Sequence, residues 1–148
     1  MAAPSARDRG IALLGRLAAS RSDPQLERLV SVRLVQRMLF AGMAASYDPS
    51  VLPGFPGTIS FRLLFPQTGR QPAGWTLTVS GTRVRAAPGF PAGAKATVAL
   101  SAPAAVFVRI GLGLIDPAEA LLGGKITLSG RLDVGAMLAE MFRMPAPR

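Results

Sequence analysis

The chain of 148 residues contains no cysteine and no histidine. Without cysteine, no disulfide braces the fold and nothing argues for an oxidising compartment. Without histidine, the usual general base at neutral pH and the commonest metal ligand are both missing. Ser–His–Asp and Cys–His chemistry is therefore excluded. Acidic residues are scarce, eight in all. Most stand at apparent helix caps, turns or helix faces, so a paired-carboxylate mechanism has little to draw on. No Ser-x-x-Lys motif occurs, nor a phosphate-cradling Gly-Lys-Ser/Thr. Gly111-Leu112-Gly113 begins like a dinucleotide loop, but it lacks the third glycine and follows no strand. These absences predict a binding protein rather than an enzyme, with no cofactor and no metal. Long apolar runs are also missing. None approaches the ~20 residues that span a bilayer, and Arg16 follows too closely on Ile11–Leu14 for a signal-peptide core. The expected location is the cytoplasm, at most peripheral to a membrane.

Negative charge is missing in one region above all. Between Pro49 and Ile115 there is no Asp or Glu, while Arg62, Arg70, Arg83, Arg85, Lys95 and Arg109 lie there. The net charge is +9. Such a basic middle suits an anionic surface, whether lipid headgroups, nucleic acid or an acidic partner, and it also serves plain solubility. Nucleic acid is the poorest fit. Phe61, Phe65 and Trp75 fall on the apolar side of their strands instead of alternating with arginine on an open face, and no RNP-like strand is present.

What is present is an apolar chain, 49% hydrophobic, large enough for one domain with a real core. Residues 1–21 read as a tail carrying a short helix, with Ile11, Leu14 and Leu17 at helical spacing. The domain proper is residues 22–148. Asp23-Pro24 reads as a helix start, Asp as cap and Pro at the first position. The helix is expected to run to about Ala45, apolar nearly all round, with Arg33 and Arg37 as its polar strip. Segment 10–20 is expected to cover part of it.

After the loop Asp48–Gly57 the period changes from 3.6 to 2. Thr58–Phe65, Trp75–Ser80, the Val84 and Ala86 stretch, and Ala94–Leu100 alternate apolar with polar, which predicts an antiparallel meander with one dry face. Ser101-Ala102-Pro103 opens a short helix to about Ile110. Asp116-Pro117-Ala118-Glu119 starts another of about two turns. Lys125–Ser129 is a fifth strand, and Leu132–Phe142 a last helix. Helices before and after grouped strands define an α+β class.

Three segments bring out a family resemblance. Gly74-Trp75-Thr76-Leu77-Thr78-Val79-Ser80-Gly81 resembles the second strand and turn of the sterol carrier protein 2 family. Ala94–Ser101 resembles its apolar strand ahead of a helix. Asp116-Pro117, followed by Leu121-Leu122-Gly123-Gly124-Lys125-Ile126-Thr127-Leu128-Ser129-Gly130, resembles its most recognisable stretch. The similarity covers about residues 25–143. It departs at Arg131, where the family commonly has an acid, with Asp133 following instead.

The resemblance implies a five-stranded, mostly antiparallel sheet covered on one face by helices, with an apolar cavity between the layers. It implies that Phe61, Leu63, Trp75, Leu77, Val98, Leu100, Phe107, Ile126, Leu128, Met137, Leu138 and Met141 line a tunnel for a fatty acyl chain, acyl-CoA, sterol or other lipid. Without it, a packed core is the better reading of the same residues. Burial of about ten methylenes contributes ~8 kcal/mol, which corresponds to roughly micromolar binding before ordering costs. Alternatives of the same fold are an accessory protein of isoprenoid-quinone (ubiquinone) biosynthesis, which holds prenylated intermediates and contacts enzymes, and a structural or assembly module. The partners that follow are an apolar small molecule, an anionic membrane surface, and a biosynthetic enzyme or a second copy of the chain.

Overall fold

The computed structural model describes residues 21–90 and 95–145. The expected helix of the N-terminal segment and its contact with the first long helix lie outside the described residues.

Helix α1 (Asp23–Val30) is followed by α2 (Arg33–Ala45), so the single helix expected over 24–45 is in fact two. The break falls at Ser31-Val32. The Ser31 hydroxyl donates to the Arg28 carbonyl at 2.7 Å, a local bond that competes with helix propagation. Val32 then takes an extended conformation and becomes the cap of α2. The start of α1 also differs from expectation. Ser22 is the cap, its amide donating to Gln25 Oε1 at 3.0 Å. Asp23 is thereby free to pair with Arg109.

The sheet comprises β1 (Gly57–Phe65), β2 (Arg70–Ser80), β3 (Arg83–Pro88), β4 (Val98–Pro103) and β5 (Thr127–Gly130), in the order β3-β2-β1-β4-β5. Strands β1 to β3 form the expected meander. The fourth strand does not extend it: β4 lies on the other side of β1 and pairs with it in parallel, Ile59 opposite Val98. All other pairs are antiparallel.

A parallel neighbour requires a crossover. Its described residues before 91 and after 94 lie against the sheet face that carries Thr58, Gly74 and Thr76. Gly89 N donates to Gly74 O at 2.8 Å, and Thr76 Oγ1 to Gly89 O at 2.7 Å. At its far end, Thr58 N donates to Thr97 Oγ1 at 3.1 Å. Glycine at position 74 leaves room for the Phe90 ring, whose Cζ stands 2.7 Å from where a Cβ would be. The face expected to be merely wet is thus partly covered, and Ser60 and Thr76 are buried in it.

Helix α3 (Ala104–Gly111) packs on β1 and β4, and α2 on β2 and β3. Helix α4 (Pro117–Leu122) starts as its sequence predicts, with the Asp116 side chain accepting from Ala118 N at 3.2 Å. The single last helix expected over 132–142 is again two pieces, α5 (Leu132–Gly135) and α6 (Leu138–Met141). Gly135 ends the first, and Met137 N closes a tighter turn onto Val134 O at 3.0 Å. The expected class stands: α+β, with helices over one face of a five-stranded, mostly antiparallel sheet. Among the described residues no helix is long and apolar enough to cross a membrane.

Candidate functional site: the apolar interior

The alternating strands point Ile59, Phe61, Leu63, Trp75, Leu77 and Val98 at the helices, which answer with Phe40 from α2 and Phe107 from α3. Phe61, Leu63, Trp75, Leu77, Val98, Phe107, Ile126, Leu138 and Met141 are buried in one apolar cluster, and Leu100, Leu128 and Met137 pack against it half-buried. The twelve residues singled out in the sequence thus belong to the one hydrophobic core of the domain or pack against it.

The interior is not uniform. Around Phe40 it is closed by rings. Phe40 stacks on Trp75 at 5.0 Å between centroids and on Phe107 at 5.4 Å, while Phe61 meets Phe40 at 5.4 Å and Phe107 edge-on at 5.7 Å. Stacked and edge-to-face pairs of this kind add to what area burial alone contributes. Side chains thus fill the part of the expected cavity that borders Phe40.

The indole needs a partner for its N–H, and Gln36 supplies one. Trp75 Nε1 donates to Gln36 Oε1 at 2.9 Å, and Gln36 Nε2 donates to the Val30 carbonyl at 2.9 Å. The amide therefore satisfies both the indole and the carbonyl left free where α1 ends. Neither Gln36 nor Phe40 was among the sequence candidates as a contact of Trp75. Gln36, one turn before Phe40 on a helix that also carries Arg33 and Arg37, is the only signal the sequence offers.

The other end of the interior, where α2 runs out against α6, is softer. Here Met141, Tyr47 and Phe142 are buried, the last two with their rings 5.6 Å apart, and Met137 packs half-buried against the core. Asp48 N donates to Met141 O at 2.6 Å and pins the chain after α2 to the last helix. Methionine side chains adapt to irregular partners at little cost. Outside this end lies a groove of about 250 Å³ between the start of α4 and α6, lined by Asp116, Pro117, Ala139, Glu140, Arg143, Met144 and Pro145. Arg143 Nε reaches Asp48 Oδ2 at 3.7 Å. The Ser50 hydroxyl and amide, and less strongly Arg143, hold the Asp48 carboxyl below its ordinary value.

The fold is a two-layer α+β domain whose sheet and helices share one apolar interior. The chain belongs to the SCP-2 sterol transfer family, whose model matches residues 47–143. Compared by sequence with curated proteins, it has no match. Among solved structures it is similar to palmitated SCP2L2 from Aedes aegypti (21% identity, TM-score 0.57, covering 76% of this chain and 93% of that one). It is also similar to apo sterol carrier protein 2 from Yarrowia lipolytica (16%, 0.52, covering 69% and 74%). A third likeness is to the sec-alkylsulfatase Pisa1 from Pseudomonas sp. (20%, 0.57, covering 75% of this chain). This chain spans only 16% of that enzyme's length. At these identities the likenesses establish the fold.

Proposed function

We propose that the domain binds a hydrophobic molecule, a fatty acyl chain, acyl-CoA, sterol or other lipid, in the interior between sheet and helices, and transfers it without chemical change. The observation that carries this is the gathering of Phe61, Leu63, Trp75, Leu77, Val98, Leu100, Phe107, Ile126, Leu128, Met137, Leu138 and Met141 into one apolar cluster that ends in adaptable methionines. The rigid ring cluster around Phe40 forms the closed wall. The methionine end near Met137 and Met141 is where the interior yields to admit a chain.

Mass spectrometry of lipids extracted from the purified protein tests the reading. A stoichiometric apolar molecule that a fluorescent fatty acid displaces is the expected result. A protein that carries no lipid and takes up none is a structural module instead.

The exposed surface supports a second element, contact with an anionic membrane. Leu34 and Met38, one turn apart on α2, are 65% and 63% exposed. The exposed Arg33 and Arg37 stand directly beside them. Apolar side chains flanked by guanidinium groups suit the headgroup boundary of a bilayer with negative lipids.

A further inference from the structure

Nearly every buried side-chain polar atom of the interior has a use. Gln36 serves Trp75, Glu27 serves Gln67 and Thr68, and Thr76 serves Gly89. Among the described residues one is left over. Tyr47 is 8% exposed, and its Oη is buried without a hydrogen-bond partner. Folded proteins rarely leave such a group unpaired, because burial strips it of water and returns nothing.

Its position gives the hydroxyl a meaning. Tyr47 lies just beyond α2, about two helical turns past Phe40, and its ring tilts against Phe142. The bond from Asp48 N to Met141 O holds it beside the residues of the soft end. Entering there, an apolar chain would extend toward the ring cluster and leave its head beside Tyr47. We infer that Tyr47 Oη is the polar anchor of the interior, and that it hydrogen-bonds a neutral oxygen, a hydroxyl or carbonyl, at the head of an otherwise apolar ligand. This rests on the carrier reading and narrows it to a class of lipid.

Neutrality follows from the surroundings. Burial first, and then the neighbouring Asp48 carboxylate, push the Tyr47 phenol above its ordinary value. It is therefore an uncharged hydroxyl that can both donate and accept. The charge nearest to it in sequence is negative. Its counter-ion Arg143 is largely exposed and already turned to Asp48. A carboxylate or phosphate head would meet that field unfavourably, while an alcohol or ketone would not.

The test compares full-length wild type with Tyr47→Phe, using three probes: pyrene-labelled hexadecanol, the matched hydrocarbon hexadecylpyrene, and pyrene-labelled palmitic acid. Because Oη has no partner among the described residues, the substitution is expected to leave the thermal midpoint unchanged or higher. Affinity for the alcohol should fall roughly 3- to 10-fold, the value of one neutral hydrogen bond. The hydrocarbon should bind both proteins equally, and the acid should bind wild type more weakly than the alcohol does. A lower thermal midpoint would show that the hydroxyl already has a partner in the fold and overturn the inference. So would equal binding of the alcohol to both proteins, or an acid bound as tightly as the alcohol. In those cases the probes still bind and the carrier reading survives. If wild type takes up none of the three, both fall together.

Discussion

Glu27 is 1% exposed, yet it is a carboxylate on a short surface helix. It stays there because it closes a turn. Gln67 N donates to both of its oxygens at 3.1 Å, and Thr68 N and Thr68 Oγ1 each donate to Oε1 at 3.0 Å. Charge-assisted bonds of this kind are stronger than neutral ones. Removing the acceptor strands the two amides of the β1–β2 turn. Glu27→Ala is therefore expected to cost about 3 kcal/mol in urea unfolding and Glu27→Gln about 1 kcal/mol, since the amide keeps one acceptor oxygen. An unchanged urea midpoint for Glu27→Ala would show that the turn closes without it. Helical spacing alone gave no sign of this residue's burial, because its partners lie forty positions away.

At the level of elements, the seam between β4 and β5 rests on one glycine. Gly130 ends β5 with φ of +90°, and a Cβ there would stand 2.4 Å from the Thr97 carbonyl oxygen. The following amide, Arg131 N, donates to that same oxygen at 2.8 Å. Backbone cannot give way as a flexible side chain does. Gly130→Ala should therefore destabilise by at least about 2 kcal/mol. The damage should be local: amide exchange at Arg131 and along β5 quickens more than exchange in β1 or β2. Uniform protection across the sheet in this variant would contradict the account. The Arg131-Asp133 departure from the family pattern finds its structural form at the same place. Arg131 Nη2 binds Asp133 Oδ2 at 2.7 Å, and the guanidinium holds that carboxyl below its ordinary value.

At the scale of the whole molecule, the proposed contact with a negative membrane can be tested directly. In that proposal the net charge of +9 would supply the long-range attraction, and the exposed Leu34 and Met38 the short-range apolar contact. Binding to vesicles with anionic lipid is expected to exceed binding to neutral vesicles and to weaken with salt, over a screening length of about 8 Å at physiological ionic strength. Replacing Arg33 and Arg37 with glutamate lowers the net charge from +9 to +5 and should weaken the salt-sensitive part, at ~1 kcal/mol per arginine lost. Sedimentation that is equal with neutral and anionic vesicles would deny the charge any such role.

Composition and periodicity were sufficient for the class of fold and for the inward face of β1 and β2, since each depends on spacings of two to four residues. They were not sufficient for strand bounds, because Ser101-Ala102-Pro103, expected to open a helix, is the end of β4, held there by its pairing with β1. The alternation in Thr58–Phe65 and Trp75–Ser80 placed Phe61, Leu63, Trp75 and Leu77 on one face, and the structure keeps them there. The capped start at Asp116-Pro117 was equally local. Only the tertiary structure decided which strand lies beside which. Nothing in Ala94–Leu100 distinguishes a fourth meander strand from a parallel neighbour of β1, because the difference lies in the path of the chain between them. It also decided where helices break. Ser31-Val32 and Gly135 are tolerable inside a helix, and nothing in their local pattern shows that a helix ends at each of them here. The partners of Glu27, Gln36 and Tyr47 likewise emerged only with the fold. A buried polar group is defined by what comes to meet it across the chain, and local pattern carries no record of that.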